Sequence, residues 1–317
     1  MVRNHVRQLA RLSGLLLLLH QPVSAAEVQF EHVLTIGSEG RAGGQFSYVE
    51  DFAFAADGSL LVTDAGHAYV QAFDPTTGRF LGRFGGKGDT DSNLDKPEGI
   101  AVGPNGDVFV ADYNTGFIKK YDREFRYLAT FSEYGSEKGQ TIRSEFADIY
   151  DGKLYVPEAG NNRVSVFDLN GSFLFDFGRG GTGPGELNVP ESAKADSHGR
   201  LFVADLKNNR IQVFNPEGRF LFGWGGHGSG AGQFSAPAGI AVDSRDNVYV
   251  TEIGNDRVQV FDCNGAFIMS FGQKGSGAGE FKNLHGIIVD KKTGWLYVAD
   301  TGNNRVQVFR PRPKPAS

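Results

Sequence analysis

The sequence repeats itself six times, and this constrains the fold more than any other property. The block GIAVDSRDNVYVTEIGNDRVQVFDCNGAFIMSFG at 239–272 returns along the chain with decay. The acid closing its second apolar run is Asp64, Asp112, Glu158, Asp205, Glu252 and Asp300, at spacings of 48, 46, 47, 47 and 48. The aromatic closing its third run is Phe73, Tyr121, Phe167, Phe214, Phe261 and Phe309, at the same spacings. Chance does not hold two series in register over 236 residues. Each unit carries four short apolar runs; in the fifth they are Ile240–Val242, Val248–Val250, Val258–Phe261 and Ala266–Phe271. Turn residues separate them, and the chain's 44 Gly among 317 residues supply such turns throughout. Four strands in a unit of ~40–50 residues describe a propeller blade. Both faces of a blade pack on neighbours, so its strands are apolar without clean alternation.

The ends of the repeat predict how the ring closes. A Gly follows the fourth run at Gly85, Gly178, Gly225 and Gly272, with Ser132 in the second blade. Extrapolating back reaches Gly37 in VLTIG, whereas the last unit ends before a fourth strand. Residues Val33–Ile36 are therefore expected to complete the sixth blade and leave no open seam. The expected organisation is a segment 1–26, an all-β six-bladed propeller over 27–310, and a loose Pro-rich tail at 311–317. Arg3, Arg7 and Arg11, the apolar Leu12–Leu19 and the small Ser24-Ala25-Ala26 read as a secretory signal peptide. An apolar run of eight is too short to span a bilayer. The expectation is an exported monomer, secreted or periplasmic. Loss of 1–26 leaves 29 basic against 37 acidic residues, net −8, which works against general nucleic-acid binding. The single Cys263 allows no internal disulfide.

YVADTGNNRVQVF at 297–309, GIAVD at 239–243 and FGQKGSGAGEF at 271–281 resemble the NHL repeat, over residues ~30–309. No Trp-Asp dipeptide occurs, which argues against a WD40 propeller. The resemblance implies a six-bladed propeller. It leaves function open, because that family spans RNA- and protein-binding modules, extracellular sensors and an amidating lyase. The lyase's zinc-holding histidines precede its innermost strands; here only His285 matches, so a three-His site does not carry over.

Positions that break the repeat are the better functional candidates. Arg163, Arg210, Arg257 and Arg305 are expected to pair with the preceding acid. Blades one and two carry Tyr69 and Phe117 instead, so Asp64, Tyr69, Asp112, Tyr113 and Phe117 form a candidate ligand patch. A second series precedes the innermost strands: Glu50, Glu98, Glu145, Glu191, Ala238 and His285, at spacings of 48, 47, 46, 47 and 47. Innermost strands line the channel, so four carboxylates and an imidazole should gather around one axis. Such a set suits calcium, zinc or manganese, or a cationic ligand. DTDSNLD at 89–95 begins like a calcium loop but lacks the Gly and Glu that an EF-hand needs. The glycine-rich strings with His227 read as blade connectors, not phosphate loops, and Cys263 falls in a hairpin turn. Two functions fit: recognition of a protein, peptide or small ligand by the acidic face, or a metal-dependent enzyme there, lactonase-like or amidating-lyase-like.

Overall fold

The computed structural model describes residues 28–313. It is a six-bladed β-propeller, each blade an antiparallel four-stranded sheet. The innermost strands are Val49–Phe54, Pro97–Val102, Asp148–Tyr150, Pro190–Ala195, Pro237–Val242 and Leu284–Val289. The second and third strands of every blade are almost wholly buried, for example Leu60–Asp64 and Leu201–Asp205. Phenylalanines and β-branched residues fill the space between blades: Phe202, Val213, Phe234, Ile240, Val250 and Phe261 make one such inter-blade core.

The sixth blade closes as the repeat arithmetic predicts. Strand Val28–Ile36 pairs antiparallel with Arg305–Pro313 and becomes the blade's outermost strand. Ile36 enters the core with Val306 and Val308, and Val33 and Leu34 pack against it. Both strands run further than expected. Pro311 and Pro313 lie opposite Phe30 and Val28, where a loose tail is predicted from 311 onward. Proline is tolerated there because the neighbouring strand Leu296–Asp300 reaches only as far as Phe309, which leaves one side of the prolines unpaired. The signal-peptide reading and the last four residues lie outside the described residues. Among the described residues no helix is long and apolar enough to cross a membrane.

The start of each innermost strand is irregular. Pairing with the second strand slips between Val49 and Phe52, Pro97 and Gly99, Pro190 and Ala193, Pro237 and Ile240, and Leu284 and Ile287. The Glu50 series sits inside these bulges, a device that re-aims a side chain. The third blade departs furthest, its innermost strand shrinking to three residues with Glu145 ahead of it. The bulges also lock adjacent blades. Thr63 donates its hydroxyl hydrogen to the Glu98 carbonyl, and Phe146 N–H donates to the Glu191 carbonyl. Gly286 passes so close that a Cβ there would lie 2.1 Å from the Glu50 carbonyl oxygen.

Candidate active site at the channel mouth

The arginine series does what its spacing predicts. Arg163, Arg210, Arg257 and Arg305 each place Nε 2.5–2.9 Å from Glu158, Asp205, Glu252 and Asp300, all fully buried acids. The same guanidinium groups donate to carbonyls of the preceding connector, as Arg257 does to Ser229, Gly230 and Gln233. Here the ion pair is a joint between strand and loop.

In blades one and two the structure buries Asp64 and Asp112 completely. Asp64 accepts from Ser47 N–H and Gln71 Nε2 and lies 2.9 Å from His67 Nδ1; burial raises its pKa. Asp112 accepts from the Asp95 and Lys96 N–H groups. Tyr69 lies under the Arg83 guanidinium at 4.1 Å, and Phe117 has Lys119 Nζ 5.7 Å from its ring. Lys119 occupies the position held by Gln in blades one, four, five and six, and its charge acts on Asp112. These four residues are thus tied into their own blades. Tyr113 is separate: its ring faces the channel mouth, with Lys96 Nζ 4.0 Å from its centroid.

At that mouth the Glu series converges, nearly buried: Glu50 is 1% exposed, Glu98 4%, Glu145 4% and Glu191 9%. The groups fall into three linked sets. His285 Nδ1 lies 2.5 Å from Glu50 Oε2. Lys96 Nζ contacts Glu98 Oε1. Glu145 stands between Glu98 and Glu191, hydrogen-bonded to both. Two carboxyls can share such a bond only through a proton, so this trio holds protons that isolated acids would release.

The electrostatics follow from this packing. Burial raises Glu98 to about 8, with the Glu50 charge adding to the shift. Burial raises Glu191 to about 7, against the pull of His285. Glu145 stands well above the ordinary range through burial and the charges of Glu191 and Glu98. Burial pulls His285 down, but the Glu50 carboxylate and its hydrogen bond outweigh it and raise the imidazole to about 9. At neutral pH the mouth therefore pairs a charged His285 and Lys96 with carboxyls poised to gain or lose protons. Groups straddling neutrality gathered in one site are what acid–base chemistry requires.

A further series frames these acids and was not recognised in the sequence. The residue two before each ring position is Tyr48, Lys96, Arg143, Val189, Ala236 or Asn283. All but Lys96 have positive φ, from 49° to 78°, which turns the chain over the rim. Tyr48 is 42% exposed, and its ring meets His285 edge-on at 5.6 Å. Arg143 lies 5.9 Å from the Tyr113 centroid. Blades one to three thus give the mouth an aromatic and cationic rim, and blades four to six a smaller, uncharged one of Val189, Ala236 and Asn283. The only available signal was a shared position with unlike residues, which a search for recurring identities passes over.

The ring's oxygen and imidazole donors are chemically suited to a hard divalent cation. In the present arrangement each donor is engaged by a neighbour, and a cation entering there would displace shared protons. Among the described residues, the group whose ligand atoms lie within 4.8 Å of one another is Asp196, His198 and Asp246, at the opposite end of the channel. That group could coordinate a metal ion. Its Asp196 already accepts from Arg200 Nε at 2.7 Å, and Asp246 from the Ser197 hydroxyl at 2.7 Å. The segment Asp89–Asp95 forms a turn held by its own contacts, with Asn93 Oδ1 accepting from Thr90 N–H.

Comparison with known proteins agrees with the fold. A family model described as a 6-bladed beta-propeller matches residues 192–254 and 244–310, and an NHL repeat model matches 94–121. The protein brain tumor of Drosophila melanogaster is 32% identical over 146 residues, 45% of this chain but 13% of that protein. The chain therefore spans about an eighth of that relative's length. A Bacteroides thetaiotaomicron structure of unknown function aligns with TM-score 0.69 at 13% identity, over 90% of this chain and 77% of that one. Virginiamycin B lyase from Staphylococcus aureus aligns with TM-score 0.61 at 15% identity, over 89% and 98%. Its catalytically inactive histidine-to-alanine variant, with quinupristin, aligns with TM-score 0.62 at 15% identity over the same shares. The chain has a six-bladed propeller fold related to NHL-repeat and other propeller proteins.

Proposed function

We propose that the acidic mouth is the active site of an enzyme that works by general acid–base catalysis on a small molecule, in the lyase or hydrolase class. The observation that carries this reading is Glu145, hydrogen-bonded between Glu98 and Glu191 beside the His285–Glu50 pair. Glu191, partly ionised near neutrality, takes a proton from the carbon beside a carbonyl, whose electron pair then expels the leaving oxygen, or, in hydrolysis, from the water that attacks the carbonyl. The Glu98–Glu145 pair returns one to the leaving atom. His285, held charged by Glu50, faces negative charge as it develops on a carbonyl oxygen. Tyr48, Tyr113 and Arg143 hold the substrate over these groups. A propeller lyase inactivated by loss of one histidine supports the reading by likeness of fold alone.

The test is turnover of a panel of lactones and cyclic esters by the wild type, Glu191→Gln and His285→Ala, with and without chelator. Loss of one positioned acid or base should lower kcat about 10²–10⁴-fold. Turnover unchanged in both variants would contradict the assignment. The donor chemistry favours a second reading, in which calcium, zinc or manganese is held by Glu50, Glu98, Glu145, Glu191 and His285. Such an ion would polarise a carbonyl or activate water. Chelator-sensitive turnover restored by one of these ions would select it. The exposed Tyr48 favours recognition of a peptide or protein by the same face, with Asp64, Tyr69, Asp112 and Phe117 as flanking support. We place this activity outside the cytoplasm, in a monomer released from its leader.

A further inference from the structure

The channel's opposite end is built differently. A cavity of about 590 Å³ opens there, within the range of small-molecule sites of ~300–1,000 Å³. Phe54, Val102, Ile149, Val242 and Ile288 are among its aliphatic and aromatic walls, and none of the ring glutamates lines it. Loops from blades one and six raise one side, through Ala55–Gly58 and Asp290–Lys292. Two polar side chains, Lys194 and Asp148, interrupt the inner wall.

Lys194 is nearly buried, and its ammonium donates to the Ala147 carbonyl at 2.7 Å. Asp51 Oδ2 lies 4.0 Å away, behind the wall. Asp148 Oδ2 accepts from Ala195 N–H at 2.9 Å. An ammonium carries three N–H donors and a carboxylate about four acceptor sites. These contacts therefore leave hydrogen-bonding capacity on both groups. At the inner wall Asp148 opposes a carboxylate head and Lys194 opposes an ammonium head, and the rim adds Asp57, Asp290, Lys291 and Lys292, two charges of each sign. A hydroxyl can accept from Lys194 and donate to Asp148 at no cost in net charge.

We propose that this cavity binds a neutral amphiphile, an aliphatic chain with a hydroxyl head, its chain against the apolar wall and its head at Lys194 and Asp148. The site lies on the face opposite the acidic mouth and stands independently of the function assigned to that mouth.

The experiment is calorimetry of the full chain at pH 8 with 1-butanol, 1-hexanol and 1-octanol, then with octanoate and octylamine. Saturable 1:1 binding of the alcohols is expected, tightening about fourfold for each methylene. Octanoate and octylamine should bind at least tenfold more weakly than 1-octanol. Val102→Trp, which fills the cavity, should abolish binding without altering the carboxyl titrations of Glu98 and Glu191 at the other mouth. Ile288→Trp serves the same purpose from a different blade. No saturable binding by the wild type, or binding unaffected by both tryptophans, would overturn the site. Octanoate or octylamine binding as tightly as 1-octanol would overturn the assignment of a neutral head.

Discussion

At the scale of the residue, the arginine of each later blade matters through the acid it covers. Removing one partner of a buried pair leaves an uncompensated charge, at a cost of about 3–5 kcal/mol. Arg257→Met should therefore destabilise by that order, because Glu252 is fully buried and would keep only the neutral donors Ser235 N–H, Asn255 and Gln259. Chemical denaturation measures it; a loss below about 1 kcal/mol would show that the pairing is incidental. This role was legible in the sequence, since the acid and Arg recur five residues apart in four blades. The fates of Asp64 and Asp112 were not. His67 gives Asp64 a hydrogen-bond partner and Lys119 places a charge near Asp112, both from positions outside the repeated pattern, and only their placement in space connects them to these acids.

At the scale of the element, closure and bulges decide where the site sits. Deleting residues 27–37 should expose Val306 and Val308 and lower the melting temperature strongly, whereas deleting 314–317 should not. A truncated chain that melts with the full one would refute the closure. Gly286→Ala tests the bulge. Its methyl would collide with the Glu50 carbonyl, and overpacking of this kind costs about 1–3 kcal/mol. The same shift should separate Glu50 from His285, so the imidazole should titrate lower in that variant; an unchanged NMR titration would place the ring's support elsewhere. The strand count, blade register and closing strand could all be read from spacing. The bulges could not, because they arise from how neighbouring blades meet. The extension of the closing pair to Pro313 escaped for a similar reason: its prolines look like a chain end until the missing neighbour on one side is seen.

At the scale of the whole molecule, buried acids along the channel set the response to pH. Glu98 at about 8, Glu191 at about 7 and Asp51 at about 6 all lie above their unfolded values. The native state then holds protons that the unfolded chain releases, so stability falls as pH rises from about 4.5 to 8. His285, raised to about 9, adds stability below its unfolded value that is lost as pH climbs through 9. Turn acids such as Asp74, lowered to about 2, act oppositely and lose their contribution only in acid. Melting temperature should therefore decline from about pH 5 to pH 9, and the double variant Glu98→Gln, Glu191→Gln should flatten the decline. A wild-type profile that rises over this range would contradict the charge assignment. The ring itself was visible as one carboxylate in each of the first four blades, with Ala238 and His285 at the same position in the last two. Its proton sharing was not, since that depends on three side chains meeting where the third blade's innermost strand is broken.

The central claim is that Glu145 shares protons with Glu98 and Glu191, and side-chain carboxyl NMR of glutamate-labelled protein from pH 4 to 10 tests it most directly. The account predicts at least two glutamates titrating as a coupled set above pH 6 in the wild type, and the loss of that coupling in Glu145→Gln. Calcium or zinc, if admitted, should drive those protons off and move the same resonances. If every glutamate instead titrates between pH 3.5 and 5.5, and Glu145→Gln leaves the others unchanged, the ring is a set of independent acids and the account is wrong.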